Sequence, residues 1–242
     1  MSGTIAIILA RGGSKGIPNK NIIKFCGKPL LAWSIENAKK VKEISSVWVS
    51  SDDKKILRIA KKFGANTIIR PKHLSKDSST SVSGWIHAIK EIQKNGFDVK
   101  KIVALQATSP VRESIDIEKG LKEFINKKFD SMFSGAPIGD FFIWEQNKKN
   151  KLQSINYDFQ NRQRRQKIKE QFVENGSFYI FTSKSIKKYN NQLGGKIGIA
   201  KMEFWKSFEI DDLENMKFCE MIMNQYILKK KHQESIMDNK IK

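Results

Sequence analysis

Cysteine is scarce in this 242-residue chain: it has two, Cys26 and Cys219, far apart in sequence. Two distant thiols exclude a disulfide framework and a cysteine-based zinc knuckle, and they point to a cytoplasmic protein. Long apolar runs are absent as well. The longest early one, Ile5 to Ala10, is far too short to cross a bilayer, so no membrane partner is expected. Met1-Ser2-Gly3-Thr4 carries no basic region ahead of that run, so no secretory leader is expected either. Arginine is the third shortage. Seven of the 45 cationic side chains are Arg and the rest are Lys, against 25 acidic ones, for a net charge of +20. Such a charge has two readings: a nucleic-acid surface, or a solvated basic surface with one site for a small polyanion. Bidentate phosphate recognition favours Arg. Lysines scattered along the chain, with no stripe interleaved with aromatics, argue against a dedicated nucleic-acid partner.

What is present is an ordinary globular balance, 39% hydrophobic and 29% charged, in a length that suits one domain over residues 1–242. Thr4 to Ala10 reads as a buried strand, and Leu31, Ile35, Ala38 and Val41 mark one face of a helix. Strands at Val47–Val49 and Thr67–Ile69 bracket a helix through Ile56, Ile59, Ala60 and Phe63. Val82, Trp85, Ile86 and Ile89 mark the next helix, and Ile102–Leu105 is a strand apolar on both faces. Ile117, Leu121, Phe124 and Ile125 follow on a helix with Ser114 as its expected N-cap. Strands at Ser131–Ser134, Ser177–Phe181 and Phe208–Asp211 and a helix over about 212–228 complete the series. This alternation predicts an α/β fold: a mostly parallel twisted sheet with helices on both faces, and ligands beyond the C-terminal ends of the strands. Two stretches fall outside the alternation. Residues 137–172 form a long polar excursion, and 229–242 form a polar tail.

The most informative segment follows the first strand: Ala10-Arg11-Gly12-Gly13-Ser14-Lys15-Gly16-Ile17-Pro18-Asn19-Lys20-Asn21. Glycines let several backbone N–H groups converge on one anion, and Arg11, Lys15 and Lys20 add charge to neutralise a triphosphate. The loop lacks both the Walker pattern, with its Gly-Lys-Ser/Thr ending, and the Gly-x-Gly-x-x-Gly dinucleotide fingerprint. Near the other end of the chain, Glu209 and Asp211 stand two apart on the expected strand. Both carboxylates then project to one face, as a divalent cation would require. Asp211 with Glu214 equally resembles the capping start of the last helix.

Five ordered motifs give the chain a resemblance to a known family. They are Leu9 to Asn21; Arg70-Pro71 with Ser78-Ser79-Thr80-Ser81; Leu105-Gln106-Ala107-Thr108-Ser109-Pro110-Val111-Arg112; Arg164-Arg165-Gln166 with Glu174-Asn175-Gly176-Ser177-Phe178-Tyr179; and Glu209-Ile210-Asp211-Asp212. Together they resemble the acylneuraminate cytidylyltransferases, the synthetases of CMP-sialic acids and related CMP-nonulosonates. Related KDO cytidylyltransferases carry Arg-Leu-Pro where this chain has Lys15-Gly16-Ile17-Pro18. The resemblance implies a Rossmann-like nucleotidyltransferase fold and CMP transfer from CTP to the anomeric C2 hydroxyl of a nine-carbon keto-acid sugar. It implies Mg²⁺ or Mn²⁺ as cofactor, and a homodimer whose dimerisation excursion matches 137–172.

By that resemblance Arg11, Lys20 and Asp211 are catalytic. Ala10, Arg11, Gly12, Ser14, Lys20, Asn21, Arg70 and Ser81 bind the nucleotide. Gln106, Arg112, Arg165, Gln166 and Asn175 face the sugar, and Glu209 and Asp211 hold metal. Ser81 reads equally as a helix N-cap, and Arg112 as a loop anchor. Val173 stands where bacterial sialic acid synthetases carry Arg, and sialic, legionaminic and pseudaminic acids stay open as substrates. A sugar nucleotidyltransferase using another nucleotide, or a basic nucleic-acid module, are the competing readings.

Overall fold

The first apolar run becomes β1 (Thr4–Leu9), buried along all but its last residue. A computed structural model describes residues 3–229; the tail expected over 229–242 lies almost wholly outside them. After the glycine-rich loop a hairpin, β2 (Lys24–Phe25) and β3 (Lys28–Pro29), leads into α1 (Leu30–Lys39). Then come β4 (Val47–Ser51), α2 (Lys54–Lys62), β5 (Asn66–Ile69), α3 (Ser81–Lys94), β6 (Lys101–Gln106) and α4 (Ser114–Asn126). The second half has β7 (Ser131–Pro137), a hairpin of β8 (Trp144–Gln146) and β9 (Leu152–Ser154), β10 (Phe172–Thr182) and α5 (Ser183–Tyr189). It closes with β11 (Ile197–Lys201) and α6 (Leu213–Ile222), which runs on as a π-helical turn over Met223–Leu228.

Seven strands form the central sheet in the order β11-β7-β10-β6-β1-β4-β5. Every neighbouring pair is parallel except those made by β10, which runs antiparallel to both β6 and β7. The β period of two sorts the side chains onto two faces. Ala6, Ile8, Val103, Leu105, Phe178 and Ile180 pack with α1, α2 and α4 on one side. Ile5, Ile7, Ile102, Ala104 and Phe181 pack on the other with Trp85, Ala88 and Ile89 of α3 and Ile186 of α5. Helices therefore cover both faces, as the unbroken apolar strands require.

Local chemistry sets the helix starts. Asp53 caps α2 by accepting from the N–H groups of Lys55 and Ile56, a cap worth about 1 kcal/mol. The cap of α4 is Glu113 rather than Ser114. The Asp116 carboxylate returns to the Glu113 N–H in a reciprocal box, which uses two donors where a serine would use one.

The strand expected at Phe208–Asp211 does not form. The last strand is β11, and 207–210 is an irregular segment held by a bond from Ile210 N–H to Thr108 O (2.8 Å). Because β10 alone is reversed, the C-terminal ends of β1, β4, β5, β6 and β7 share one edge of the sheet with the start of β10. The stretch between β7 and β10, residues 138–171, leaves from that edge and returns to it.

Candidate active site

A cavity of about 610 Å³ opens at that edge. The glycine-rich loop after β1 makes one wall. Asn19 takes a left-handed conformation (φ 55°), and a short 3-10 turn over Lys20–Ile22 follows. Asn21 is buried, and its side-chain amide donates to Arg11 O (2.9 Å), so it braces the loop from inside. The Gly12 N–H donates to Asp52 Oδ1 (3.1 Å), tying the loop to the end of β4. Arg11, Ser14, Lys15, Gly16, Lys20 and Asn21 face the cavity; Ala10 and Gly12 do not line it.

The opposite wall is acidic. The ammonium of Lys20, 13% exposed, donates to Ile210 O and to Asp211 Oδ1, both at 2.9 Å. At Gly16 an added Cβ would lie 2.1 Å from the Asp211 carbonyl oxygen. The cationic loop and the acidic segment therefore touch, and Arg11 and Asp211 share one cavity. Asp211 is not a cap of α6. That role belongs to Asp212, whose carboxylate accepts from Asn215 N–H (2.7 Å), leaving the Asp211 side chain 66% exposed.

Glu209 lies beside this wall. Burial raises its carboxyl above the usual range, the Asp211 charge raises it further, and Lys20 opposes them. Two hard carboxylates that repel each other are a donor set that a divalent cation relieves. Among the described residues no three or more His, Cys, Asp or Glu side chains converge. Two carboxylates completed by phosphate oxygens and water is the arrangement magnesium commonly takes, so the residues fit the ion.

The third wall follows β5. Arg70 is buried beneath the cavity, and its Nε donates to Ser75 Oγ (2.9 Å). Burial lowers its pKa, Asp52 opposes that, and Arg11 adds to it. Ser81 opens α3 and lines the cavity. The helix cap is Thr80, which accepts from Ser83 N–H, so the Ser81 hydroxyl is not spent on capping. Asp77 went unnoticed in the sequence. Its carboxylate sits 2.7 Å from Arg11 Nη1 and 2.9 Å from Lys15 Nζ, held ionised by those bonds to Lys15 and Arg11. A single acid within a Ser/Lys-rich stretch carries no signal until the fold sets it against the loop.

Gln106, at the end of β6, completes the cavity with Thr108. Arg112 does not line it. It is 1% exposed, and its guanidinium donates to Ser177 O (2.6 Å), Ser177 Oγ (2.9 Å), Ser34 Oγ (2.7 Å) and Gln106 O (3.3 Å). Its planar fork is used up on three elements, so Arg112 anchors the loop after β6 instead of touching sugar. Asn175 is likewise consumed: its Oδ1 accepts from Ser134 Oγ (2.6 Å) and Ser177 N–H (3.1 Å). Arg165 and Gln166 fall on a 3-10 turn, Arg165–Lys167, inside the excursion, and Gln166 does not line the cavity of its own chain.

A mostly parallel sheet with a cationic loop after β1, a cavity at the strand ends and the Asp211 carboxylate across it has the form of a Rossmann-like nucleotidyltransferase fold. The chain belongs to the cytidylyltransferase family, whose model matches residues 5–239. It is 39% identical over 209 residues to the N-acylneuraminate cytidylyltransferase of Oncorhynchus mykiss, covering 85% of this chain but only 47% of the relative. The chain thus spans about half the length of that relative. It is 34% identical to the pseudaminic acid cytidylyltransferase of Campylobacter jejuni, over 75% of this chain and 79% of that one. Among solved structures, a CMP:2-keto-3-deoxy-manno-octonic acid synthetase complexed with CTP superposes with a TM-score of 0.69 over 93% of this chain and 99% of its own. At 15% identity it speaks for the fold alone.

Proposed function

We propose that the chain transfers CMP from CTP to the anomeric C2 hydroxyl of a nonulosonic acid, releasing pyrophosphate. The observation that carries this reading is the meeting of Lys20 and Asp211 in one cavity, with Arg11 on the same wall and Gln106 at the far end. A carboxylate-bearing nucleophile must approach a triphosphate, and the chief barrier is charge. Arg11 and Lys20 bind phosphate oxygens and offset it. Lys20, pinned to Ile210 O and enclosed, is preorganised to stabilise the departing pyrophosphate. In this reading Arg70 and Ser81 would read the base edge and Gln106 would hydrogen-bond the sugar; all three line the cavity. Mg²⁺ or Mn²⁺ held by Asp211 and Glu209 would neutralise phosphate charge when bound.

Homodimerisation through 137–172 and a cytoplasmic location belong to the same reading. The β8–β9 hairpin supports the first. Phe141, Trp144, Leu152 and Phe159 are all exposed there, and the Trp144 and Phe159 rings lie 5.2 Å apart, unlike a solvated loop. Arg165 and Gln166 would then reach a partner's sugar. The deciding experiment is pyrophosphate release with CTP, Mg²⁺ and a panel of sialic, legionaminic and pseudaminic acids. Release with UTP but not CTP would sink the choice of base.

A further inference from the structure

Lys206 is 2% exposed and sits among three carboxylates. Its ammonium donates to both oxygens of Asp116 (2.8 and 2.9 Å) and lies 3.1 Å from Glu113 and 3.1 Å from Glu203. A buried lysine costs much desolvation, so a site that keeps one must repay it by geometry. Burial pulls its pKa down, the three acids outweigh burial, and the group stays charged. The cluster does not line the cavity. What it joins is informative.

Lys206 ends the 3-10 turn Phe204–Lys206, with only two residues between it and Glu209. Glu113 and Asp116 form the capping box that starts α4, directly after the loop Ala107–Arg112. That loop is held at its rear by Arg112, which reaches α1, β6 and β10. The acidic segment then meets the same loop once more, through Ile210 N–H to Thr108 O. Glu209 and Asp211 have no strand partners. Lys206 holds the segment from the front, and the Ile210–Thr108 and Lys20 bonds hold it further along.

We propose that Lys206 is a positioning residue: its ammonium, bound to the first turn of α4, fixes the segment Glu209-Ile210-Asp211 so that both carboxylates meet the cation of the nucleotide complex. The inference rests on the metal reading given above and adds the residue that sets its geometry. Loss of this clamp frees Glu209 within two residues, while the phosphate loop keeps its ties to Asp52 and Asn21 and the Arg70–Ser81 wall keeps its bond to Ser75.

The test uses Mn²⁺ binding in the presence of CTP without sugar, followed by electron paramagnetic resonance, beside CTP binding without metal. Lys206→Met alone strands Asp116, so the informative variant is Lys206→Met/Asp116→Asn, which removes the buried pair together. Glu203→Gln, at a half-exposed arm of the clamp, serves as a second variant that strands no buried charge. In the folded double variant Mn²⁺ affinity is expected to fall by roughly 10- to 100-fold, the range for lost outer support of metal ligands. Metal-free CTP binding stays within about twofold and kcat falls more than the KM for CTP rises. Glu203→Gln shows the same pattern at smaller size, and Lys206→Arg retains most of the affinity. Wild-type Mn²⁺ affinity and kcat in the double variant or in Glu203→Gln would overturn the proposal, as would a parallel loss of metal-free CTP binding. Absence of CTP-dependent Mn²⁺ binding in the wild type would overturn the metal reading itself, and the clamp's role with it.

Discussion

Replacing Gly16 with Ala tests the contact on which the site depends. A methyl at Gly16 would stand 2.1 Å from the Asp211 carbonyl oxygen and 3.3 Å from its carbon. Ordinary carbon–oxygen contacts lie beyond 3 Å, so the loop and the acidic segment must separate by about 1 Å. Neither side has slack. The segment is tied to Thr108 and Lys206, and the loop to Asp52 and, through Lys20, to Ile210. A misplacement of about 1 Å in a preorganised site costs on the order of 100-fold in rate, or about 3 kcal/mol of transition-state stabilisation. Gly13 supplies the control, because a Cβ there meets nothing within 4 Å. Steady-state pyrophosphate release with CTP, beside thermal unfolding, compares the two variants. Gly16→Ala is expected to lose about 100-fold in kcat/KM with a cooperative unfolding transition retained, and Gly13→Ala to stay near wild type. Wild-type kcat/KM in Gly16→Ala would refute the close approach. Equal losses in both would show that the loop needs glycine's freedom and not the separation.

Asp211→Ala should abolish turnover with the fold intact, since the side chain is mostly solvent-facing; retained Mg²⁺-dependent activity would remove it from the site. Asp77→Asn should tighten CTP binding by about two- to fivefold, because the triphosphate no longer competes with a carboxylate for Arg11 and Lys15; unchanged or weaker binding would contradict this. Arg112→Ala is expected to cost about 3–5 kcal/mol of stability, from the lost hydrogen bonds to Ser177, Ser34 and Gln106 and the cavity left behind; a change confined to sugar KM would restore the substrate contact. Burial first, with Glu220 adding to it, raises the Cys26 thiol to about 11, so its thiolate near pH 8 is about 100-fold rarer than an ordinary thiol's and alkylation of the native protein should be correspondingly slow.

The sheet was legible because its strands are apolar on both faces. Ile5–Ile8, between Gly3 and Gly12, and Ile102–Leu105, between Lys101 and Gln106, admit few alternatives. The misreading at 208–211 has a physical cause. Ser207, Phe208, Glu209 and Ile210 alternate as a strand does, and Glu209 and Asp211 do face solvent together while Ile210 is buried. Alternation reports only which side is covered, and here the covering comes from the loop after β6 and not from a neighbouring strand. β11 escaped notice because Gly198 breaks a short run that is exposed at its ends. Of the residues the motifs single out, Arg11, Lys20, Arg70, Ser81, Gln106 and Asp211 line one cavity. Arg112 and Asn175 sit in equally conspicuous motifs, yet the Arg112 Nη atoms and the Asn175 amide bond inward. A sequence shows that a guanidinium is present, not which way the backbone aims it.

The single reversed strand has an architectural consequence. Because β10 runs against its neighbours, the polypeptide can depart after β7, build an appendage of 34 residues and rejoin the sheet without crossing the core. The appendage and the triphosphate cradle hang from separate halves of the same rim. Insertions or exchanges at 138–171 can therefore remodel the appendage while β1, β4, β5 and β6 keep the cavity unchanged.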